Sequence, residues 1–112
     1  MFEALWSIGF VTGQETFGAG VVIFETGRVF GGDTSLYWVG NYSVKDSMIT
    51  GEVEVCRHTQ GVPFIFPGLD GGRIPFTGQI ASPTMVLTGN LTGYPNQQIA
   101  VQFTRLAELP NP

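Results

Sequence analysis

The chain has 112 residues, five of them basic and nine acidic, for a net charge of −4, so no basic stripe exists to displace counterions from a phosphate backbone and direct nucleic-acid binding is not expected. This length fits one domain, residues 1–112. Cys56 is the single cysteine, which excludes an internal disulfide and agrees with a reducing, cytoplasmic setting, and the longest uninterrupted apolar run, Val21 to Phe24, is too short to span a membrane.

From about Phe2 to Val11 the chain alternates, with Phe2, Ala4, Trp6, Ile8 and Phe10 on one side, the period of a strand with a bulky inner face. Gly13 to Thr16 reads as a turn. Val21 to Phe24 reads as a second strand, apolar on both faces. Thr26-Gly27 closes a hairpin into a short strand, Arg28 to Phe30, that ends at a glycine corner, Gly31-Gly32-Asp33, where backbone freedom and the Asp33 carboxylate favour a sharp turn. Tyr37 to Ser43 forms the fourth strand, and Lys45-Asp46-Ser47 a tight polar turn.

Met48 to His58 is the best-defined strand, with Ile49, Gly51, Val53 and Val55 on one face and Glu52, Glu54, Cys56 and His58 on the other. Arg57 falls on the apolar side and needs a carboxylate partner or an exit to water. Between Gln60 and Gly72, prolines and glycines block regular pairing while Phe64, Ile65, Phe66 and Leu69 demand cover. This loop either caps one end of the core or serves as a lid or interaction patch. Arg73 to Ala81 alternates again, with Pro75 marking an edge or bulged position. Thr84 to Thr88 and Gln98 to Thr104 complete the set, and the proline-rich tail after Leu106 reads as a fraying turn.

No window shows a convincing helical stripe, so the chain is all-β, with at most a short turn around Thr34 to Trp38. Eight short, mostly hairpin-linked strands leave a closed up-and-down barrel or a sandwich. Large inner residues, Trp6, Phe10, Phe24, Phe76 and Phe103, favour a small antiparallel barrel, filled or enclosing one small cavity.

Chemistry is sparse. His58 is the only imidazole and stands on a polar strand face, so a hydrolytic triad has no base. One His and one Cys do not make a zinc site, no cofactor motif is present, and Gly18-Ala19-Gly20 precedes a strand where a phosphate loop needs a helix. An enzyme is not expected. Two functions suit the residues: association with another protein, or carriage of a small hydrophobic ligand within Trp6, Phe10, Phe24, Val53 and Phe76, gated by the loop carrying Phe64 and Phe66.

The run Gly18-Ala19-Gly20-Val21-Val22, Thr26-Gly27-Arg28 and Gly31-Gly32-Asp33-Thr34-Ser35-Leu36-Tyr37-Trp38-Val39-Gly40-Asn41-Tyr42, continued by Glu54-Val55-Cys56-Arg57-His58, is similar to the one that marks the GrlR family, named for a negative regulator of type III secretion in enteric pathogens. Its most specific part is Gly31, Gly32, Asp33, Tyr37, Trp38, Gly40 and Tyr42. The resemblance implies a lipocalin-like eight-stranded barrel with a hydrophobic interior and a plug-like loop. It further implies a bacterial homodimer that sequesters a helix-turn-helix activator without touching DNA. The family's regulator uses an acidic Glu-Asp-Glu-Asp run on the hairpin after the aromatic segment. The corresponding Val44-Lys45-Asp46-Ser47 keeps only Asp46, so the hairpin Lys45, Asp46 and Ser47 is a candidate partner surface of different charge.

Overall fold

In the computed structural model, which describes residues 2–12, 15–61, 71–96 and 98–112, with the backbone alone at 11–12 and 15–19, the chain forms eight strands. They are β1 (Ala4–Thr12), β2 (Glu15–Glu25), β3 (Arg28–Gly32), β4 (Leu36–Lys45), β5 (Met48–Arg57), β6 (Gly72–Gln79), β7 (Thr84–Asn90) and β8 (Gln98–Glu108). Each pairs antiparallel with the next, and β8 returns to β1, closing a barrel. Closure gives every strand two neighbours, the β6–β7 ladder being the shortest of the eight. No helix of the described residues is long and apolar enough to cross a membrane.

The alternation of the sequence sets the inner face. Ala4, Trp6 and Ile8 of β1, Val22 and Phe24 of β2, and Leu36 and Trp38 of β4 are buried, while the intervening Val21, Tyr37 and Val39 face out. Full burial of Trp6 and Phe24 contributes about 1.5–3 kcal/mol for each side chain of this size. Among the described residues two hairpins turn in two residues, Thr26-Gly27 between Glu25 and Arg28, and Asp46-Ser47 between Lys45 and Met48. In both, the two central residues have positive φ, from 46° at Thr26 to 82° at Gly27, the twist that suits a tight hairpin.

Several boundaries differ from the sequence reading. β2 begins at Glu15, because Thr12↔Glu15 and Val11↔Thr16 already pair with β1, so residues 15 and 16 belong to the strand and not to a turn. Gly31 and Gly32 also lie within a strand, β3, paired to Trp38 and Tyr37; the corner itself is Asp33–Ser35 and contains no helical turn. The chain after Leu106 does not fray, since Ala107 and Glu108 pair with Leu5 and Ala4 to satisfy the start of β1. Likewise β7 extends through Asn90, opposite Gln98.

Pro75 does not lie on an edge strand. It stands opposite Glu52 inside a closed barrel, next to Phe76, where the β6–β7 ladder registers only Phe76↔Gly89 and Thr77↔Thr88. Its missing N–H is accommodated because β6 leans on β5 along its length and meets β7 only briefly.

Candidate cavity and outer association face

One end of the barrel is filled by aromatic side chains. Phe2 packs on Phe24 at 4.7 Å between ring centroids and edge-on to Tyr42 at 5.5 Å; Phe24 meets Tyr42 at 5.4 Å and Phe103 at 5.8 Å. Trp6 is fully buried beneath them, and its indole N–H donates to the Phe2 carbonyl at 3.0 Å. That bond satisfies the only polar atom of the Trp6 side chain and anchors Phe2 over the barrel end. Burial pushes the Tyr42 phenol above its ordinary value, and the nearby carboxylates of Glu3 and Glu25 push it the same way.

Towards the middle, the inner side chains leave a cavity of about 90 Å³. Phe10, Val22, Leu36, Trp38, Val53, Val55, Phe76 and Val101 are among its lining residues, so Phe10, Phe24, Val53 and Phe76 of the expected cavity set come together, while Trp6 belongs to the filled end. An outer groove along the β6–β7 seam shares Phe76, Thr88, Gly89 and Ile99 with the cavity wall. The short ladder at Pro75 thus lies where interior and surface approach one another.

Trp38 is the residue whose role in the site sequence reasoning missed. It is 6% exposed, lines the cavity, and its Nε1 is buried without a hydrogen-bond partner among the described residues. The indole rests against Gly31, its neighbour across the ladder, and a Cβ at Gly31 would stand 2.8 Å from Nε1. Strand alternation put Trp38 inside; only the absence of an acceptor around Nε1 singles it out.

The corner of the family-like motif is structural. The Asp33 carboxylate accepts the amides of Ser35 at 2.8 Å and Leu36 at 2.7 Å, while the Ser35 carbonyl accepts the amide of His58 at 2.9 Å. His58 is exposed; its ring nitrogens meet the Thr59 hydroxyl at 2.7 Å and the Asp33 carbonyl at 3.0 Å, and the ring stacks on Tyr37. Arg57 is half-buried and reaches out to the Thr59 carbonyl, which gives its guanidinium an exit from the apolar side. The outward Tyr37 hydroxyl contacts Cys56, and that hydrogen bond raises the phenol above its ordinary value.

Outside, the register aligns Leu5↔Ile23↔Phe30↔Val39 across β1 to β4, flanked by Val21 and Tyr37. Val21, Tyr37 and Val39 are each more than two-fifths exposed, so this outer face is apolar and open. Its margin is charged: Arg28 pairs with Glu25, and Arg73 lies 3.6 Å from Glu54 and 3.9 Å from Glu52. Glu52 and Glu54 share the outer face of β5, and the register sets Arg73 opposite Glu54, with its charge beside both carboxylates.

Lys45, Asp46 and Ser47 form the exposed β4–β5 turn at the aromatic end of the barrel. Phe64 and Phe66, with the rest of 62–70, lie outside the described residues. Comparison with protein-family models and with curated proteins returned no match to this chain.

Proposed function

We propose that the chain is a non-enzymatic, cytoplasmic regulatory protein of the kind its GrlR-like motif implies, a negative regulator of type III secretion genes that acts by protein–protein association as a homodimer. The observation that carries this reading is the outer apolar row of half-buried Leu5, Ile23 and Phe30 and exposed Val39, flanked by exposed Val21 and Tyr37, continuous over four strands and rimmed by charges of both signs. Four adjacent outer positions span about 15 Å, the scale of the apolar centre of a dimer interface with a polar rim. His58, the only imidazole, supports the non-enzymatic reading because the Thr59 hydroxyl and the Asp33 carbonyl engage both of its ring nitrogens.

Sedimentation velocity on the wild type and on Val39→Glu tests the association. A wild-type dimer that the variant converts to a monomer with unchanged thermal stability supports it; a wild-type monomer at every concentration overturns it. The hairpin is tested separately, by reversing the charges of Lys45 and Asp46 and measuring capture of a helix-turn-helix activator from the native host. If the reversed protein still captures it, the hairpin is not the partner surface.

The cavity favours a second role alongside the first: a small hydrophobic ligand held inside the barrel, with the β6–β7 seam as its route. An apolar wall of this kind gives water no partners and suits an apolar guest. Native mass spectrometry that finds an apolar adduct on the purified protein supports this role. Bare protein that also fails to take up small apolar probes removes it.

A further inference from the structure

Resting on the cavity reading, we infer that the interior is a site for small bare hydrocarbons, molecules more compact than benzene and without any polar atom, and that it refuses alcohols, acids and lipids alike.

The fold keeps polar atoms off the cavity surface. Among the lining residues only Trp38 and Thr88 carry a polar side-chain atom, and neither presents it to the interior. Thr88 is exposed: it follows the buried, inward Leu87 on β7 and stands opposite Thr77 in the row that lines the outer groove. The indole nitrogen of Trp38 lies against Gly31, within the wall. Carbon alone faces the cavity.

A ligand pocket ordinarily sets a few polar groups among its apolar ones, and these fix the ligand's orientation and repay the water that its own polar atoms lose. This wall repays nothing. A hydroxyl, carbonyl or amide carried inside would give up its hydration without a partner, and a carboxylate or phosphate would do so at far greater cost. Every carbon of a hydrocarbon, by contrast, gains by leaving water. Discrimination therefore rests on what the ligand lacks.

Size excludes lipids independently. The cavity, about 90 Å³, is smaller than the roughly 150 Å³ one that admits benzene, so a fatty chain has no room in it. Growth of the space is blocked on two sides. The rings of Phe2, Phe24 and Tyr42 pack together at the filled end of the barrel. Across the wall from there, the ring of Phe76 lies over Gly51, its partner on β5, where an added Cβ would stand 2.8 Å from the ring carbon Cζ.

The test titrates xenon, butane, propanol and palmitate into the full wild-type chain with labelled methyl groups. The methyls of Val22, Val53, Val55, Leu87 and Val101, which line the cavity, report occupancy. Butane and propanol have equally many heavy atoms and differ in a methyl against a hydroxyl group, so their comparison isolates the unpaired polar atom. Xenon and butane are expected to shift these methyls saturably, propanol to bind at least about fivefold more weakly than butane, and palmitate to leave the same methyls unmoved. If propanol matches butane, or palmitate shifts the cavity methyls, the inference falls while the cavity reading stands. If neither xenon nor butane shifts them, the cavity reading falls and takes the inference with it.

Discussion

The indole of Trp38 rests against Gly31 so closely that a single added carbon on the glycine would stand 2.8 Å from Nε1. The same carbon would overlap the Val21 carbonyl of the strand on the other side. Gly31 is thus the space in which the large ring of β4 lies down across β3. Gly31→Ala is expected to destabilise the barrel by about 1–3 kcal/mol or more, the cost of overpacking against backbone. Urea unfolding followed by tryptophan fluorescence measures it, and a variant as stable as the wild type would show that the ring has room to move.

Asp33 holds the next corner through two short bonds to the amides of Ser35 and Leu36, both buried residues. Removing the carboxylate in Asp33→Ala leaves those donors without it and should cost about 1–3 kcal/mol. Asp33→Asn keeps an acceptor in place and should recover part of the loss. A change within about 0.5 kcal/mol, usual for an uninvolved surface site, would contradict this role.

Ser47 adopts φ 66° in the two-residue turn after Asp46, a conformation that a side chain resists and glycine accepts. Ser47→Gly is expected to stabilise the protein by about 0.5 kcal/mol, the relief of left-handed strain exceeding the added freedom of the unfolded chain. Thermal denaturation of the two proteins side by side is sufficient, and a lower midpoint for the variant would refute it.

Tyr42 supplies a pH dependence. Its phenol is raised above the ordinary value of 10.0, first by burial and then by Glu3 and Glu25, so the folded state keeps a proton that the unfolded chain releases. The associated stability is fully present below the unfolded value and is lost as pH rises through the folded one. The wild type should therefore lose stability above about pH 10 more steeply than Tyr42→Phe. Parallel slopes in melting temperature against pH for the two proteins would rule the effect out.

Much of the barrel was legible because strand chemistry is local. Trp6, Phe24 and Phe103 were read as large inward residues, and all are buried. Boundaries failed where a distant partner decides them: Glu15 and Thr16 looked like a turn until β1 paired with them, and Ala107 and Glu108 looked like a tail until β1 needed a neighbour. Of the candidate cavity set, Phe10, Phe24, Val53 and Phe76 meet around one void, whereas Trp6 packs into the filled end. The outer apolar face escaped notice because Leu5, Ile23, Phe30 and Val39 are separated in sequence and only the register aligns them.

By itself, then, the sequence determined the period of the alternating strands, the side their residues face and several of the places where the backbone must turn. These follow from interactions between near neighbours, pleat geometry and φ preferences, and need no knowledge of the rest of the chain. Tertiary structure alone decided that β8 closes on β1, how much volume eight inner faces leave empty, and which polar atoms lack a partner. A void, and a donor left unmet among the described residues, are sums over many strands at once, and neither shows in the residues around Trp38 in sequence.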